Sequence, residues 1–215
     1  MAVNVKNAFV GSPAIDGGVF FRAPLGTKLP TDAKSKLDEA FQDHGAVGED
    51  GVKVTQDRST SDIKMYGGET FVSVQESYDE QVEITLLEDD NDAVLKTAFG
   101  DANVEKTEAT QADGTKRTIY HTSTPLPISA FVVHSVYGDK VKRYVIERGQ
   151  VMSVGDTVDV HNDVTKKTLT IKTYKPADEK LRGGNVVEYR DDGEADADAG
   201  NGGGDDNQGG GAEGE

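Results

Sequence analysis

The chain contains no cysteine and no tryptophan. Absence of cysteine excludes a disulfide framework, a thiolate metal site and a thiol nucleophile. Apolar residues make up only 35% of the 215, and none of their runs approaches the roughly 18 in a row that a membrane span requires. The stretch MAVNVKNAFVGSPAIDGG holds no apolar run of useful length, so neither a signal peptide nor membrane insertion is expected. Basic charge is scarce as well: 23 Lys and Arg stand against 39 Asp and Glu, a formal net charge of -16. Nucleic-acid binders gain most of their affinity from phosphate neutralisation by Lys and Arg, so this balance excludes a conventional one.

Catalytic signatures are missing too. There is no G-x-S-x-G, no P-loop and no dinucleotide fingerprint. The four histidines, His44, His121, His134 and His161, have no ligand-like spacing. GEDG at 48–51 and EDDND at 88–92 lack the alternating ligands of a calcium loop and read as a turn and a helix cap. No catalytic, cofactor-binding or metal-binding residue is assigned, no cofactor is expected, and the chain does not read as an enzyme.

What is present divides into two parts. Asp191 to Glu215 carries nine acidic residues, no basic one and nine of the 25 glycines. It cannot form a core and reads as a disordered, self-repelling acidic tail, 191–215. Residues 1–190 read as one mainly β domain with an N-terminal arm. Period-two alternation recurs through GGVFFRAP, ETFVSVQESYDE, EQVEITLLED, KRTIYHTS, LPISAFVVHSVYG, KVKRYVIERGQV, DTVDVHND and KKTLTIKTYKP. SYDE at 77–80 reads as a hairpin turn, Gly138-Asp139 as a two-residue turn and Asn162-Asp163 as another. TDAKSKLDEAFQDHG and EDDNDAVLKTAFG each offer a cap, an apolar stripe and a terminal glycine, and read as short helices. The expected fold is an antiparallel β-sandwich or rolled barrel with one or two short flanking helices.

Between the strands lies EDGVKVTQDRSTSDIKMYGGETF, Glu49 to Phe71. From Gln56 to Lys64 its only apolar residue is Ile63, so it reads as a long, charged loop unable to bury itself. A second feature, the basic cluster Lys140, Lys142, Arg143 and Arg148, surrounds a predicted hairpin and reads either as a contact for an acidic neighbouring subunit or as a solvated strand face.

The run from residue 23 to 100, with APLGTKLPTDA, the EDGV turn, SDIKMYGG and VLKTAFG in that order, resembles the major tail protein, or tail tube subunit, of long-tailed (siphovirus-type) bacteriophages of actinobacteria. The resemblance implies a structural virion protein. Six copies would form a ring, and rings would stack into a tube around the tape measure protein. The tube would be capped by tail terminator and distal tail proteins and would conduct double-stranded DNA into the host. Assembly would take place in the host cytoplasm. It also implies that the long loop contacts the next ring, through Arg58, Asp62, Ile63, Lys64, Met65 and Tyr66. A different interaction class, a β-sandwich adhesin or carbohydrate-binding module, is the alternative. It is disfavoured by the lack of clustered aromatics.

Overall fold

The computed structural model describes residues 3–14 and 18–194. The acidic tail therefore lies, from residue 195 on, outside the described residues. Among the described residues ten strands and one α-helix follow in order: β1 (Phe20–Pro24), β2 (Gln42–Asp43), β3 (Val47–Lys64), β4 (Thr70–Leu86), α1 (Asp92–Phe99), β5 (Val104–Thr107), β6 (Lys116–Ile119), β7 (Ser129–Tyr137), β8 (Lys140–Val154), β9 (Lys167–Thr173) and β10 (Val187–Asp191). Eight of the strands form one antiparallel sheet in the order β2-β1-β7-β8-β9-β4-β3, with β10 on β8; β5 and β6 pair separately. The mainly β, antiparallel architecture is as the alternation foretells. The strands of the body join in one continuous hydrogen-bonded sheet.

Burial explains the pattern. Val82, Ile84 and Leu86 alternate along β4 and are wholly buried, against Leu169 and Ile171 of β9, Phe131 and Val133 of β7, Ile146 of β8, Phe20, and Val94 and Ala98 of α1. Each such side chain taken out of water contributes about 1.5–3 kcal/mol. The opposite face of β1, β7 and β8 carries Ala23, Ala130, Val132 and Val145 beneath Phe41, Leu29 and Leu37. β7 is thus covered on both faces, which is why its first five residues are all buried.

The helix forms where the sequence places it. Asn91 Oδ1 accepts the Ala93 N–H at 2.9 Å, and Gly100, at φ 97°, ends the last turn with its N–H on Lys96 O. Asp92 in the first turn binds Arg117 at 2.6 Å and Lys106 at 3.0 Å, tying the β5–β6 hairpin to the helix.

Three expectations are corrected. Residues 31–45 form no helix, although Leu37, Ala40 and Phe41 have the spacing for one. Asp32 turns back to accept the N–H groups of Lys34 and Ser35, while the Arg143 guanidinium donates to the carbonyls of Asp32 (3.1 Å) and Ser35 (2.8 Å). A carbonyl committed to a buried arginine is withdrawn from a helical ladder, and the tertiary contact overrides a weak propensity. SYDE is no turn either: β4 runs unbroken from Thr70 to Leu86. DTVDVHND forms no strand and lies in the β8–β9 loop, where residues 161–163 turn. Gly138-Asp139 does close the β7–β8 hairpin, between the paired Tyr137 and Lys140.

The sheet forks. Along one edge β8 pairs with β7; along the other it pairs with β9 through Gly149–Val154 and with β10 through Val141–Val145. β4 pairs with β9 only from Gln81 to Leu86. Past that level β8 continues with β10, and β4 continues with β3 alone.

Candidate assembly interface

Glu49 to Phe71 is structured as one arm of a β-hairpin, not as a loop. β3 and β4 pair from Val47↔Leu86 out to Lys64↔Thr70, with register shifts at Val47/Val52, Ser59/Thr60 and Ile63/Lys64. The turn is tight: Met65 N–H donates to Glu69 O at 2.7 Å and Gly68 N–H to Met65 O at 3.0 Å. Gly67 and Gly68 take φ of 107° and 94°, which the Gly-Gly pair alone permits without strain. Every residue from Thr55 through Ser77 is exposed. An isolated two-stranded hairpin is marginal in water, so this arm draws its order from its root and from cross-strand pairs.

The root is a polar network on the face that continues the core. Glu80, 2% exposed, accepts from Gln56 Nε2 (2.9 Å) and Tyr78 O–H (2.8 Å). Arg58 lies over the Tyr78 ring at 4.4 Å and donates to Gln75. Tyr78 holds its proton above the usual phenol range, from burial and then from the Glu80 carboxylate it donates to. Farther out Asp62 accepts from Ser73 and Thr70. Beside the root Asp79 binds Lys172 at 3.0 Å, which holds its carboxyl below the usual range.

The six residues assigned to the loop therefore all lie on the outer arm, but they do not form one patch. Arg58 and Asp62 are engaged within the hairpin. Ile63, Met65 and Tyr66 stand outward; Tyr66 is fully exposed. Lys64 makes no ion pair among the described residues. Sequence reasoning missed three more outward residues: Phe71, Val72 and Val74 lie in a run read simply as a strand, and all three are exposed. Val72 is the direct partner of Ile63, and Val74 is the partner of Ser61. The signal that could have found them is the composition of the facing strand, QDRSTSD, which offers no apolar partner short of Ile63.

The basic cluster is not brought together. Lys142 and Arg143 point to opposite faces of β8. Arg143 is 5% exposed and spends its donors on the 32–35 backbone. Lys142 lies 4.4 Å from the Phe9 ring and 3.7 Å from Glu188; Lys140 donates to the carbonyls of Lys6 and Ala8. Arg148 Nε is buried and bonds to nothing among the described residues. Three of the four thus serve contacts inside the chain.

No group of three or more His, Asp or Glu side chains is placed to hold a metal ion among the described residues. His44 is buried, with Nδ1 3.0 Å from Gln42 O and Nε2 2.7 Å from Thr97 Oγ1, and burial pushes its pKa down to about 4. It is a structural link between β2 and α1.

Compared with known proteins, the chain matches no curated protein. Among solved structures it overlaps a chain of the virion of a native gene transfer agent particle at 13% identity and a TM-score of 0.35, covering 64% of this chain and 86% of that one. An overlap that slight carries no argument. The model of one family, described as phage tail tube protein, matches residues 1–182. With that match spanning most of its length, the chain belongs to the phage tail tube protein family.

Proposed function

We propose that this structural tail tube protein assembles as six-membered rings that stack into the tail tube of a long-tailed (siphovirus-type) phage of actinobacteria, made in the host cytoplasm and serving as the conduit for genome delivery. The tape measure protein occupies the lumen during assembly, and terminator and distal tail proteins close the ends. The observation that carries this reading is the β3–β4 arm. A hairpin with every residue from Thr55 to Ser77 exposed leaves the apolar side chains near its tip, Ile63, Met65, Tyr66, Phe71 and Val72, uncovered by its own subunit. Contact with a neighbouring ring supplies the missing burial. The acidity suits a conduit, because a negatively charged wall repels phosphate and leaves DNA free to slide. No catalytic role is assigned.

Electron microscopy of the purified chain tests the reading. Replacing Asp62, Lys64 and Tyr66 together by Ala is expected to leave the circular dichroism spectrum unchanged and to abolish tube growth. Wild-type tube lengths in that variant would refute the role of the arm. A stubborn monomer at high concentration would refute the tube.

A further inference from the structure

The ladder between β4 and β9 has two ends, and each carries an unpartnered apolar feature. Six pairs run from Gln81↔Lys172 to Leu86↔Lys167, a span of about 17 Å. The arm leaves at the Gln81 end. The β8–β9 loop, residues 155–166, returns at the Leu86 end, immediately before Lys167. Val158, Val160 and Val164 on this loop are 57%, 47% and 54% exposed. The loop nevertheless has a built form: Thr165 O–H donates to Asp159 at 2.7 Å, Lys166 binds Asp163 at 2.8 Å, and Lys167 donates to Thr157 Oγ1 at 2.8 Å. Its valines face outward from a held frame. Around them lie Asp156 and Asp159 of the loop and, across a shallow cleft from Val164 and Thr165, Glu88 and Asp90.

Symmetry restricts what can cover these features. An assembly that grows without limit needs a head-to-tail contact between two different surfaces, whereas a two-fold contact of one surface with itself closes after two copies. The arm and the loop satisfy this requirement, because they lie at opposite ends of one strand pair. The exposed valines of the N-terminal segment, Val3, Val5 and Val10, do not. That segment follows the β7–β8 turn, with Ser12 bridging Val136 and Lys140 bonding Ala8 O. Because Gln150 is level with Lys172 on β9, Lys140 sits well past the point where the arm departs, on the arm's own side. Of the charges at the tip, Asp62, Lys64 and Glu69, it is Lys64, with no ion-pair partner among the described residues, that complements the acidic end at the β8–β9 loop.

Building on the tube reading, we propose that the outer arm of one copy docks on the β8–β9 loop of a second copy in the adjacent ring, with Ile63, Tyr66 and Val72 packing on Val158, Val160 and Val164. Each such contact is small. Its repetition around a ring converts later contacts into intramolecular ones and multiplies a weak affinity.

Cysteine pairs test this directly, because the chain has none of its own. In the full-length chain carrying Tyr66→Cys with Val160→Cys, oxidation of assembled tubes is expected to give a ladder of covalent multimers on a non-reducing gel. Either single variant gives none. A ladder from Tyr66→Cys with Val5→Cys, and none from the 66–160 pair, overturns the docking while leaving the tube intact. If the unmodified chain forms no tubes, both readings fall together. Should the paired cysteines prevent assembly, the Val158→Asp, Val160→Asp double variant decides. Both sites are exposed, so its spectrum and ring mass should match wild type while tube growth needs at least tenfold more protein. An unchanged growth threshold overturns the proposal.

Discussion

Acid should weaken this fold in two separate steps, the first of them due to two histidines, His44 and His134, with His44 the more deeply buried. His44 is fully buried between β2 and α1, edge-on to Phe20 at 4.8 Å. Its Nδ1–H donates to Gln42 O, and Nε2 accepts from the Thr97 hydroxyl, an arrangement available only to the neutral ring. Burial, and after it the nearby Arg22 cation, lower its pKa from 6.5 to about 4. The unfolded chain therefore takes up a proton that the folded chain refuses throughout that interval. Stability is full above pH 6.5, falls as the pH drops toward 4, and gains no further loss from this residue below. At 1.4 kcal/mol per pH unit the total is about 3 kcal/mol. The carboxylates act lower down. Asp92, held below 3.8 by Arg117 and Lys106, contributes stability that is lost only as the pH falls beneath that value. Urea unfolding of dilute protein at pH 7, 6, 5 and 4.5 measures the first step alone. His44→Gln should be less stable at pH 7 by about 1 kcal/mol, for an imperfectly replaced hydrogen bond, and should decline less than wild type from 6.5 to 4, the remaining slope belonging to His134, whose pKa burial and then the Arg143 cation also lower. A variant that keeps the wild-type decline in that interval would refute the assignment.

Three further substitutions probe the body. Leu86→Ala removes a wholly buried side chain at the end of the β4–β9 ladder and should cost roughly 2–5 kcal/mol in chemical denaturation; a loss well under 1 kcal/mol would contradict its inward place. Gly149→Ala would set a Cβ 2.7 Å from the Phe131 ring and 3.0 Å from Ile171, and should cost about 1–3 kcal/mol by overpacking, read as a lowered melting temperature. Arg143→Met strips the donors from the carbonyls of Asp32 and Ser35; faster amide exchange confined to the 31–41 segment and its neighbours is expected, with the β4–β9 ladder unaffected.

Local signals were legible where local chemistry decides. The helix at 92–99 announces itself through Asn91 and Gly100, and the β7–β8 turn through Gly138. The segment 31–45 misleads because its apolar spacing suits a helix, while its conformation is set by an arginine more than 100 residues away. SYDE looks like a turn for a related reason. It marks the place where β4 leaves the core, so side chains there face water or a polar network although the strand continues. The same departure hides Phe71, Val72 and Val74, whose strand-like composition implies burial that the subunit alone does not provide. The basic cluster dissolves because β8 alternates its side chains between faces, and neighbours in sequence become strangers in space.

The unbroken course of β4 has a mechanical consequence. A pull on the arm tip is carried by covalent backbone directly into the sheet, arriving along the strand axis at Gln81. There the load meets six β9 pairs at once, in shear, so their hydrogen bonds resist together instead of being unzipped one after another from an end. Force then crosses β9 into β8, which spans both branches of the fork. Had the chain turned at SYDE, the same tension would have peeled a short strand from the edge.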